Sequence, residues 1–155
     1  MLNRLVGLGI VLAAIYALIV YAPNFLRLRV GPAYDDIEGL DATRGLDVMA
    51  RVPIDTLALG DAVAFKLWRK DTEEPDVFLG WAAAFPGDEV GIERGRILVN
   101  GRAPACGAAI QAPSRPPAVV PAGHVFVVSS RHRFDSTVYG PIPQAALLGR
   151  LRELP

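Results

Sequence analysis

The sequence predicts a mainly β domain, built as a barrel or as paired sheets, behind one N-terminal transmembrane helix. Three observations predict it. No charged residue occurs from Leu5 to Leu26, and Arg4 and Arg27 bracket that run. Beyond residue 57, short apolar or alternating runs are separated by turn signals, the pattern of an all-β domain. The 155 residues include 15 Gly and 13 Pro, which supply those turns. The organisation implied is a tail at 1–4, a membrane helix at 5–26 and a β domain at 27–155.

The N-terminal run has the length of a membrane span. Its 22 residues reach about 33 Å as a helix, enough for a hydrocarbon core of ~30 Å. A cleaved signal peptide would have a shorter apolar core of ~7–15 residues and a small-residue cleavage site, so a retained anchor is expected. Tyr16 and Tyr21 suit an interface, and Pro23 stands where it can end the helix early. Charge leaves the orientation open: the α-amine and Arg4 lie on one side, Arg27 and Arg29 on the other. Overall, 16 basic residues balance 16 acidic ones. Setting aside Arg4 leaves 15 basic residues against 16 acidic, so the domain has no polybasic surface, and nothing points to a nucleic-acid partner.

Residues 30–56 read as irregular, then weakly strand-like. Asp35, Asp36, Glu38, Asp41, Asp47 and Asp55 make the stretch acidic; without EF-hand spacing it reads as a solvated face, and no metal is expected. Asp61 to Trp68 is strand-like, Arg69 to Asp76 a charged loop, and Val77 to Phe85 an apolar strand ending at the turn Pro86-Gly87-Asp88. Val90 to Glu93 alternates. Ile97-Leu98-Val99 runs into Asn100-Gly101, a strong hairpin signal. Residues 103–118, rich in Ala, Pro and Gly, read as a loop. Gly123 to Val128 is a strand, Tyr139 to Pro143 a turn, and Gln144 to Arg152 a short helix or a final strand. The lone Cys106 excludes an internal disulfide and any multi-cysteine metal site; it reads as an incidental small residue.

The order of these segments resembles the type I signal peptidases. Leu59-Gly60-Asp61-Ala62-Val63-Ala64-Phe65 resembles their "GDxVxF" strand. Ala82 to Val90, centred on Pro86-Gly87-Asp88, resembles "VxxLPGDxV", and Ile97 to Gly101 resembles "LxVNG". Val120 to Phe126 and Phe134 to Pro143 resemble "VPxGxxF" and "FDSRYFGPVP". With Leu148-Gly149-Arg150 after it, the last is most similar to the conjugative-transfer branch, which processes pilin precursors. The resemblance covers residues 27–152. It implies a membrane-anchored all-β serine peptidase outside the cytoplasm, on the periplasmic side of the inner membrane, with a Ser nucleophile and a neutral Lys as base. Such a Lys works near neutral pH only if burial depresses its pKa, and Ser needs that base to become nucleophilic.

Neither group stands where the resemblance puts it. In the conjugative register, Arg29, Val30, Gly39 and Leu40 match and the nucleophile position falls on Asp35. In the main-branch register, Thr56 and Leu57 match and the position falls on Val52. The four serines are Ser114, Ser129, Ser130 and Ser136, so no serine precedes residue 114; Thr43 or Thr56 would be unorthodox substitutes. The base, six residues before Pro86, falls on Gly80. Lys66 and Lys70 flank a polar loop and read as solvated, and His132 as a surface-loop residue. Asp135 and Ser136 match the box that supports the base, with Thr137 in place of its Arg. Without the Lys, Asp135 is expected to cap a turn and Ser136 to satisfy backbone groups.

The expected function is therefore a pseudo-peptidase that needs no cofactor: a binding, scaffold or assembly subunit of a membrane complex. Its partners would be the lipid bilayer and a membrane protein or an extended peptide. The alternative is an active serine peptidase that processes exported or pilin-like precursors with displaced residues. The Trp81-Ala82-Ala83-Ala84-Phe85 run suits either an exposed apolar platform or a close-packed core strand.

Overall fold

Turn chemistry divides the chain into short strands, and the computed structural model describes residues 10–16, 25–28, 46–50, 52–68, 73–104, 113–130 and 134–153. Within them the strands are β1 (Phe25–Leu28), β2 (Leu46–Ala50), β3 (Ala62–Leu67), β4 (Asp76–Ala84), β5 (Glu89–Glu93), β6 (Arg96–Val99), β7 (Arg115–Val119), β8 (His124–Val128), β9 (Ile142–Pro143) and β10 (Leu147–Glu153). Residues 10–16 are helical (α1), Ser136–Tyr139 forms one turn of helix (α2), and 3-10 turns occupy Ile54–Thr56 and Gln144–Ala146.

The strands form paired sheets. One has seven strands in the order β1-β2-β10-β3-β4-β8-β9, the other three in the order β6-β5-β7. Every pairing is antiparallel. Two apolar clusters form the core. The larger holds Ile54, Leu57, Phe65, Phe78, Val125 and Val127, among others; the smaller holds Ala83, Ala84, Ile92, Val120, Phe126 and Val128. β4 serves both, with Phe78 and Ala82 in the first and Ala83 and Ala84 in the second. The three alanines are fully buried, so this run is core strand and no exposed platform.

The expected β4–β5 turn is built as its residues suggest. Gly87 takes φ 92, a region that favours glycine. Asp88 accepts from Phe85 N through Oδ2 at 2.8 Å and from Asn100 Nδ2 through Oδ1 at 2.8 Å. Asn100 Oδ1 accepts in turn from Glu89 N at 2.9 Å. The Pro-Gly-Asp and Asn-Gly motifs are thus one hydrogen-bonded unit where the chain passes between the sheets.

Three expectations need correction. Phe25 and Leu26, read as the end of the membrane helix, lie in β1 opposite Met49 and Val48. Residues 115–118, the end of the stretch read as loop, lie in the strand β7. Its prolines are tolerated because β7 is an edge strand and every residue in it is exposed. The β5–β6 hairpin turns at Arg94-Gly95, with φ 50 and 72, while Asn100-Gly101 closes only the bridge from Val99 to Arg102.

Candidate functional site

Gly80 sits in the middle of β4, opposite Val63 of β3, with β8 on its other side. A Cβ at Gly80 would collide with Val127 Cγ1 and would come within 3.0 Å of the Val128 carbonyl oxygen. Side chains alternate along a strand, so this position faces the same way as Phe78 and Ala82, into the larger cluster that also holds Val127. Position 80, where the resemblance sets the base, therefore carries no side chain and has no open space beside its backbone.

Val52 is half-buried and packs against that same cluster. Its carbonyl accepts from Gln144 Nε2 at 3.1 Å, and Ile54 N donates to Gln144 Oε1 at 2.8 Å. One amide side chain thus ties residues 52–54 to the C-terminal part of the chain, much as a neighbouring strand would. Sequence reasoning missed this clasp: a Gln after a turn carries no local sign of a partner 92 residues away. The Thr56 hydroxyl is committed to its own 3-10 turn, donating to the Pro53 carbonyl at 2.8 Å. A cleft of about 610 Å³ opens beside this segment, walled by Pro53, Ile54, Leu57, Phe85 and Pro86. Asp35, Thr43, Lys70, Cys106 and His132 lie outside the described residues. Lys66 is exposed near the end of β3.

The support box is buried and satisfied. Asp135 is 0% exposed. Its Oδ2 accepts from Ser129 N at 3.0 Å and from Ser129 Oγ at 3.2 Å. Its Oδ1 accepts from Thr137 N at 2.9 Å and from the Thr137 hydroxyl. Asp135 is the N-cap of α2, a role that suits its carboxylate. Ser136 Oγ accepts from Val127 N at 2.9 Å. These are the capping and backbone-satisfying roles expected of Asp135 and Ser136. Ser129 was not singled out from the sequence, because no local pattern relates it to Asp135 six residues on. Among the described residues, no group of three or more His, Cys, Asp or Glu side chains is placed to hold a metal.

The arrangement joins a satisfied polar turn on one side of β8 to an apolar packing on the other. A family model described as "Signal peptidase, peptidase S26" matches residues 7–154. No curated protein matches the chain. The match spans nearly the whole sequence, and the chain belongs to this signal peptidase family.

Proposed function

We propose that this signal peptidase family member is a membrane-anchored, non-catalytic pseudo-peptidase that acts as a binding, scaffold or assembly subunit of a membrane complex. Gly80 carries the reading. The residue that the resemblance sets at the base has no titratable group, and its surroundings are filled by Val127 and the β8 backbone. The sequence adds that no serine precedes residue 114, which leaves both Asp35 and Val52 without a nucleophilic hydroxyl.

The uncharged run from Leu5 to Leu26 supports an anchor in the bilayer. So do the exposed apolar side chains of α1, such as Ile10 and Leu12. No helix among the described residues is itself long and apolar enough to cross a membrane, so the anchor rests on the sequence. Family membership supports a β domain on the periplasmic side of the inner membrane. The cleft beside residues 53–57 offers apolar walls for an extended peptide or a membrane-protein partner.

The test uses the full-length chain in detergent, incubated with exported and pilin-like precursors and with a serine-reactive penem. No cleavage and no covalent mass increase are expected. Cleavage or a stable adduct would establish the alternative, an active peptidase with displaced residues, and its persistence in Asp35→Ala and His132→Ala would place the chemistry elsewhere. Co-purification from solubilised membranes tests the binding role directly. A reproducible protein or peptide partner is expected; a chain that always runs alone counts against it.

A further inference from the structure

We infer that Val127 seals the vacated base position, so that the site is closed by packing as well as lacking an amine. The inference rests on the reading of position 80 given above and adds the residue that decides whether a side chain can stand there. Any side chain at Gly80 must leave the strand through the space that the Val127 isopropyl group occupies. Val127 has little freedom to yield. It is 0% exposed, and its branched Cβ leaves few rotamers. Its backbone is paired to β4 opposite Ala82, and its N–H is held by Ser136 Oγ at 2.9 Å. The Val128 carbonyl closes the other side of the space, 3.0 Å from the same Cβ site. At Gly91, within β5, the nearest atom to a Cβ would be Pro117 Cγ at 3.2 Å, so the approach at Gly80 is the closer of the two.

Two consequences follow. Gly80→Lys by itself does not return an amine to this site, because the stem of the side chain has no room. Ser136, matched to the box that supports the base, acts here as a positioning residue for the side chain that fills the base's place.

A double-mutant cycle on the full-length chain, read by thermal unfolding, tests this. Gly80→Ala should lower the unfolding midpoint by roughly 5–10 °C, the range for overpacking a tight core. In a Val127→Ala background the same substitution should lower it by less than about 2 °C, or raise it, because the new methyl enters the space left by the isopropyl group. Equal falls in both backgrounds would overturn the inference. If Gly80→Ala fails to fold, recovery of folded double variant is the supporting result. Failure of the double variant beside a folded Val127→Ala is the overturning one. The two readings fail separately: precursor cleavage by the unaltered chain removes the pseudo-peptidase function and leaves the cycle standing, whereas equal falls remove Val127's role and leave the chain's inertness untouched.

Discussion

Val127 meets two neighbours that treat it in opposite ways. On one side, Ser136 Oγ takes its backbone N–H, and beyond Ser136 the carboxylate of Asp135 gathers the backbone and hydroxyl donors of Ser129 and Thr137. On the other side, its side chain fills the space beside Gly80. The polar side holds Asp135 and Ser136, which resemble the family's motif, and the apolar side holds Gly80, which does not. The difference separates folding from chemistry. A buried carboxylate that satisfies several donors has a structural reason to be there whether or not a base stands nearby, since each donor left without a partner is costly. A buried lysine has none: its charged form is penalised by burial, and only a task such as proton abstraction favours keeping it. Presence of Asp135 and Ser136 is therefore no evidence for catalysis by itself, since their hydrogen bonds already account for them.

Substitutions can break this contrast. Asp135→Ala should have the largest effect, about 3–5 kcal/mol, because it removes the shared acceptor of four buried hydrogen bonds from Ser129 and Thr137. Urea unfolding measures it, and a loss below about 1 kcal/mol would mean that the network does not hold the turn. Ser136→Ala should cost about 1–2 kcal/mol, the loss of one buried acceptor for Val127 N. Hydrogen exchange at the Val127 amide should rise with it; unchanged protection would show that Ser136 does not fix β8. The smallest effect should come from Arg150→Ala. Its Nη1 lies 3.3 Å from Asp61 Oδ2, with side chains 30% and 22% exposed, and such a pair is worth below about 1 kcal/mol. A loss that shrinks with added salt would sharpen the contrast between surface charge and the buried Asp135 network; a loss rivalling that of Asp135→Ala would break it.

Much of the fold was legible because its signals are local. The alternating or apolar runs at β3, β4 and β8, and the turn at Pro86-Gly87-Asp88, depend on neighbours a few residues away. Arg115–Val119 was not legible, because its two prolines speak against a strand until the sheet order makes β7 an edge. Asn100-Gly101 was legible as a turn but misleading as a hairpin, because Arg94-Gly95 reverses the chain first.

The candidate site divides in the same way. Residue types and their spacing were enough to establish that position 80 has no base and that no serine precedes residue 114. A missing functional group is a fact of covalent structure, and no folding can supply it. Whether the vacated position is an open pocket or a filled one depends on β8 lying against β4, and residues 52–54 are tied down by a Gln144 that only folding brings near. Packing brings together residues that no local pattern relates, so only the tertiary structure could decide that Val127 stands in the space beside Gly80.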